Sequence, residues 1–202
     1  MRLLLALLLL APTAAAQSGA SGRVERHAEV RQYAVEGATL EEVTRSLHAN
    51  APRDADGARF YALTQWTYNA EYVWVERDTG CRAEDVVVRV ATTITMPRWT
   101  PPRVTPAGLV EAWNRFVRSL EAHEREHQRL AEEGAEAIRW EIVSLRLQTC
   151  SGAEARAQHA VARVVETTNR RNREYDERTR HGMTEGAVWP PPRRVGSAVG
   201  AR

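Results

Sequence analysis

Between Leu109 and Leu145 apolar side chains return at steps of three and four. Leu109, Trp113, Phe116, Leu120, His123, His127 and Leu130 form one series, and Ile138, Ile142 and Leu145 continue it. That spacing places every member on one face of an α-helix, so a long stripe must be buried against a partner. Thr105 is expected as the N-cap, with Pro106 at the first helical position. Gly134 is where an interruption or kink is expected. After a break at Ser151-Gly152 a second helix is predicted from Ala153 to about Arg180, with Val161, Val164, Val165 and Thr168 inward and Gly182 as its C-cap. The two arms are of similar length, so a tight turn makes them an antiparallel pair.

The segment ahead of the helices reads as β-structure with one short helix. Arg31 to Val35 alternates as a short strand. Thr39-Leu40-Glu41-Glu42 has capping-box spacing, followed by the stripe Leu40, Val43, Leu47. Asn50 to Gly57 has loop composition. Phe60 to Val75 carries Phe60, Trp66, Tyr68, Tyr72 and Trp74 at one parity, and Asp85 to Met96 alternates again with Val86, Val88, Val90 and Ile94 on one face. Joined through the turn Asp78-Thr79-Gly80, the two runs predict a long antiparallel ribbon with a bend or bulge. Pro97, Pro101 and Pro102 are expected to end it. The class is α+β: a short N-terminal strand and helix, a long antiparallel ribbon, then two long antiparallel helices.

A chain of 202 residues that is 43% hydrophobic suits one domain with a real core. Met1-Arg2, the apolar run Leu3 to Leu10 and Ala14-Ala15-Ala16 read as a signal peptide over residues 1–16, with an uncleaved anchor as the competing reading. A linker over 17–30, a single domain over 31–189 and a disordered tail over 190–202 follow. The expected location is therefore periplasmic or secreted. No later apolar run is long enough for a membrane, so the cleaved chain is not expected to be an integral membrane protein. Export makes pairing of Cys81 with Cys150 the expectation, with free thiols or metal ligation as alternatives. A net charge of +2 argues against nucleic acid as a partner, and the absence of lysine excludes Schiff-base chemistry.

Within the helical stripe, His123-Glu124-Arg125-Glu126-His127 spells H-E-x-x-H. Imidazoles four apart share a helix face and can converge on one Zn2+, while the adjacent Glu124 can act as general base toward a zinc-activated water. The competing reading is a pair of satisfied core histidines. A catalytic zinc takes a third protein ligand and keeps an open position. An antiparallel second helix returns Tyr175, Asp176 and His181 toward the motif. His181 is the first choice for third ligand. Asp176 is the alternative, as ligand or as a carboxylate orienting an imidazole. Tyr175 is a candidate donor to a tetrahedral oxyanion. His27, His48 and His159 stand alone.

Several separated motifs together resemble a bacterial family of predicted secreted zinc-dependent proteases, catalogued as domain of unknown function 922. They are Tyr33-Ala34-Val35-Glu36-Gly37 with Thr39, Thr64-Gln65-Trp66, Cys81, Pro97-Arg98-Trp99, the H-E-x-x-H motif and Cys150. Tyr175-Asp176, Thr179, His181-Gly182 and Gly186-Ala187 complete them. The resemblance spans Tyr33 to Trp189 and implies a zincin-like α+β fold, export and a metallopeptidase. The residue before the second histidine is often small in that pattern. Here it is Glu126, which the helical phase points outward. The expected function is hydrolysis of a peptide or amide bond in a peptide or protein substrate, with an extended substrate added to the ribbon's free edge. The alternative is a non-enzymatic cell-envelope protein with a structural zinc site.

Overall fold

A computed structural model describes residues 22–192. The expected signal peptide, the first part of the linker and nearly all of the tail lie outside the described residues. The element order is β1 (Arg23–Val35), α1 (Leu40–Asn50), β2 (Leu63–Arg77), β3 (Gly80–Trp99), α2 (Ala107–Ser144) and α3 (Ala153–Thr179), then a 3-10 turn at Met183–Glu185. The three strands form one mixed sheet in the order β1-β3-β2. With two long helices packed after a small sheet, the architecture is α+β.

The ribbon of β2 and β3 is antiparallel, from Leu63 opposite Thr95 to Arg77 opposite Gly80. Its register shifts between Glu71 and Val73, where Asp85 of β3 takes a positive φ of 53°. This is the bulge that so long a run requires. Two expectations about the sheet need correction. The first strand starts at Arg23, not Arg31, so residues 23–30 are not linker. They pair in parallel with Val87 to Ile94 of β3, a non-local partner that strengthens a sequence too polar to read as a strand alone. Pro97 also does not end β3, which continues to Trp99. Pairing with β2 stops at Thr95, so one side of β3 is already free of ladder bonds there and tolerates a missing N–H.

At α1 the capping box forms as expected. Thr39 Oγ1 accepts from the Glu42 amide at 3.3 Å, and Glu42 Oε2 accepts from the Thr39 amide at 3.2 Å. At α2 the cap differs from expectation: Pro106 is the N-cap and the helix begins at Ala107. Thr105 Oγ1 is buried without a hydrogen-bond partner among the described residues. The helix runs unbroken through Gly134. A Cβ there would lie 2.3 Å from the Tyr68 hydroxyl and 2.6 Å from Thr168 Oγ1. Glycine at this position serves close approach of β2 and α3 rather than a kink. Helix α3 ends one step earlier than expected, because Arg180 takes the left-handed cap (φ 51°) and Gly182 (φ 77°) instead opens the 3-10 turn.

Two hydrophobic clusters lie along α2. Its N-terminal third meets α1, the end of β3 and the returning C-terminal segment through Leu47, Trp99, Trp113, Phe116 and Trp189. Its C-terminal half lies on the sheet through Ala131, Ala135, Ile138 and Ile142 against Val86, Val88 and Val90, with α3 alongside. A Cys81–Cys150 disulfide ties the α2–α3 connection to β3. The same junction carries a reciprocal pair of backbone bonds between Cys81 and Leu147. Among the described residues no helix is long and apolar enough to cross a membrane.

Candidate metal centre

Helices α2 and α3 run antiparallel. Arg171 donates to Glu133, and further along Asn172 faces His127 and Asp176 faces His123. That register decides which α3 residues reach the motif. His123, Glu124 and His127 are all buried, between Leu120 and Leu130 on the inner face of α2. Glu126 points outward, as the helical phase predicts, and pairs with Arg129.

Three side-chain atoms converge. His123 Nε2 and His127 Nε2 are 3.2 Å apart, and Asp176 Oδ1 lies 3.0 Å from the first and 3.1 Å from the second. These separations approach the edge, about 3.3 Å, of a tetrahedron with zinc–ligand bonds of about 2.0–2.1 Å.

The outer ring nitrogens fix what the inner ones can offer. His123 Nδ1 lies 3.1 Å from Glu185 Oε2, and His127 Nδ1 lies 2.6 Å from Asn172 Oδ1. Asn172 spends its Nδ2 on the Thr168 carbonyl at 2.8 Å, which sets its amide so that the oxygen faces the imidazole. Both partners are acceptors, so each Nδ1 carries the proton, assigned here from the bonding network. Each neutral ring then turns an Nε2 lone pair toward the carboxylate oxygen. Three acceptors facing one another need positive charge between them, and a divalent cation would supply it. A proton is the lesser substitute. Burial opposes charge on His127, but Asp176 outweighs it and raises that imidazole's pKa. Burial likewise pushes the Asp176 carboxyl up, and the two imidazoles overcome it and hold the group well below the usual carboxylate range.

Glu124 behaves differently. Burial dominates there and raises its pKa, against the bond it accepts from Thr64 Oγ1 at 2.7 Å. A carboxyl with a raised pKa is suited to accepting a proton and returning it.

Of the two residues considered as third ligand, Asp176 belongs to the convergent group with His123 and His127, and His181 does not. His181 is exposed. Its Nδ1 is 3.3 Å from Asp176 Oδ1, and its ring lies against Phe60, 5.1 Å between centroids. Tyr175, the candidate oxyanion donor, has a partner of its own in this structure. Its hydroxyl donates to Glu185 at 2.9–3.0 Å, and its ring stacks on His123 at 4.8 Å. Burial and then Glu185 push the Tyr175 pKa up, which keeps the hydroxyl a donor. That donor serves the carboxylate behind His123, on the side away from Nε2, and not an oxyanion. Gly182 completes this backing, since a Cβ there would come within 3.0 Å of His123 Cγ.

Sequence reasoning missed Thr64, Asn172 and Glu185. Thr64 shares the parity of Trp66 and Tyr68 and so faces inward. Asn172 lies four residues before Asp176 and four after the inward Thr168. Those two signals were available. Glu185 sits in a 3-10 turn without periodicity and gave none. His27 and His159 are exposed, and His48 bonds the Tyr61 hydroxyl at 3.0 Å.

The centre opens on a cleft of about 610 Å3. One wall is β2 and the segment before it, including Phe60, Tyr61 and Thr64, and the other is α3. β2 is an edge strand of the sheet, so its outer side is free of strand pairing. In comparison with known proteins, residues 30–182 match the family described as "Bacterial protein of unknown function (DUF922)". No curated protein and no solved structure matches the chain.

Proposed function

The chain belongs to the DUF922 family, and from that premise we propose that it is an exported zinc-dependent metallopeptidase. The observation that carries the reading is the convergence of three ligand-type atoms, His123 Nε2, His127 Nε2 and Asp176 Oδ1, at 3.0–3.2 Å from one another. These residues would hold the ion. Zinc held by three protein donors supplies Lewis acidity to a carbonyl and makes water acidic enough to attack near neutral pH. Glu124 lines the same cleft and is the general base, taking a proton from the attacking water and later passing it to the leaving amine. Thr64 holds that carboxylate in place. Glu185 and Asn172 hold the imidazoles in the tautomer that ligation requires. The free edge of β2 offers main-chain bonds to an extended substrate.

The test is elemental analysis together with hydrolysis of a mixed peptide substrate. The purified chain is expected to hold about one zinc. Glu124→Gln is expected to keep the ion and lose about 10²–10⁴-fold in turnover. A protein that takes up no zinc, or a Glu124→Gln variant as fast as the parent, overturns the reading. The competing reading, an envelope protein with a closed structural site, needs a fourth protein donor. His181 is the one poised for that role, by its 3.3 Å approach to Asp176. We expect His181→Ala to retain its zinc in a chelator competition, and loss of the ion would favour the closed site.

A further inference from the structure

The α3 wall of the cleft carries Arg173 and Arg180. Both side chains are exposed, and neither has a carboxylate partner or a side-chain hydrogen bond among the described residues. Along the stretch of α3 nearer the cleft the other arginines with a recorded contact are Arg163 with Glu141, Arg170 with Glu174, Arg171 with Glu133, and Arg178 over the Tyr175 ring, while Arg156, at the far end of the helix, also has no side-chain partner among the described residues. The other charged groups of the cleft are also committed. Arg59 donates to the carbonyls of His48, Ala49 and Ala51, and Asp54 accepts from the amides of Asp56 and Ala58. Glu124 and Asp176 belong to the centre. The charges of Arg59 and Asp54 are opposite and each is held by backbone groups, so with Glu124 and Asp176 assigned to the centre the two guanidinium groups of the cleft left without a partner among the described residues are those of Arg173 and Arg180.

Their placement matters as much as their sign. Arg173 precedes Asp176 by about one helical turn and Arg180 follows it by about one, so the pair straddles the centre some ~10 Å apart along the helix. An extended peptide advances about 3.3 Å per residue and repeats its facing every second one. That separation falls between the roughly 6.6 Å of two residues and the roughly 13 Å of four, and long arginine side chains that lean together or apart can meet either pair on one face, with the bond to be cleaved between them. Guanidinium reads a carboxylate with paired hydrogen bonds.

We infer that the cleft selects an extended peptide with Asp or Glu on both sides of the scissile bond, read by Arg173 and Arg180. This rests on the peptidase reading for its cleavage arm but not for its binding arm. In the first arm, the zinc-loaded full chain digests a pooled peptide library, and the new termini are sequenced by mass spectrometry. Asp and Glu are expected to be enriched about fivefold or more on both sides of the cut, and Arg173→Glu/Arg180→Glu is expected to shift the enrichment toward Lys and Arg. In the second arm, the chelator-treated full chain is titrated with a fluorescent Glu-rich peptide and its Lys-rich counterpart. The Glu-rich peptide is expected to bind about tenfold more tightly, an advantage that shrinks with added salt and is lost in the double variant. Equal binding of the two peptides, or an unchanged preference in the variant, overturns the inference whatever is cleaved. Acidic preference in binding with no cleavage of the library overturns the peptidase reading and leaves standing the recognition of an acidic peptide by Arg173 and Arg180.

Discussion

Helix α2 passes through two cores of different construction. Around Trp113 and Phe116 the core is aromatic, with ring pairs at 5.3–5.7 Å that bring in Trp99 and Trp189 from distant parts of the chain. Around Ala131 and Ala135 it is built from alanines and β-branched residues, which let the sheet and α3 come close. Large rings gather segments that share no secondary structure, and small side chains set the distance between regular elements. The candidate centre lies at the seam, between Leu120 of the first core and Ala131 of the second. It draws Glu185 from the aromatic side and Asn172 and Asp176 from the close-packed side. Buried polar groups persist at this seam because Glu185, Asn172 and Thr64 satisfy their outer atoms and the cleft opens beside the inner ones.

That division can be broken from either side. The largest effect is expected from Trp189→Ala. It empties an aromatic position and should cost about 3–5 kcal/mol in denaturant unfolding. Because Glu185 rides on the same segment, zinc affinity should fall as well. An unchanged affinity would mean that the aromatic core does not position the centre. Next comes Glu185→Gln, which removes the carboxylate behind His123. Zinc affinity is expected to drop by about 10- to 100-fold in competition titrations, with little change in the stability of the ion-free chain. Smallest is Gly134→Ala on the close-packed side. The added methyl meets the Tyr68 hydroxyl and Thr168 Oγ1, so a loss of about 1–3 kcal/mol in thermal or denaturant melts is expected. Zinc content should stay at the parent level. If it falls, the two cores are coupled through α3.

Much of this arrangement is legible in the residues themselves. The stripe from Leu109 to Leu145 specifies α2, the parity of Trp66 and Val88 specifies the ribbon, and two cysteines behind an expected signal peptide point to the pairing of Cys81 with Cys150. What escapes is non-local. Residues 23–30 form a strand only because β3 lies beside them. Gly134 looks like a helix breaker until Tyr68 and Thr168 are seen on either side of it. Around the centre the same line divides success from failure. Asp176 follows Thr168 and Asn172 at four-residue steps, so its inward direction was readable. His181 lies just past the left-handed cap at Arg180, where helical phase no longer says which way a side chain faces. Tyr175 is inward as its phase requires, but the acceptor that claims its hydroxyl comes from a turn ten residues later.

The disulfide has a mechanical consequence. It anchors the joined ends of α2 and α3 to the sheet, while the candidate ligands lie at the middle of α2 and the far end of α3, roughly 25–35 Å along the helices. The pair resembles tongs riveted at the handle, and a cation seated among His123, His127 and Asp176 would latch the jaws. Jaws closed at both extremities have no arm left to swing. Admission of a bulky guest would then fall to the opposite bank, the stretch from Ala51 to Ala62 between α1 and β2, which no covalent cross-link restrains.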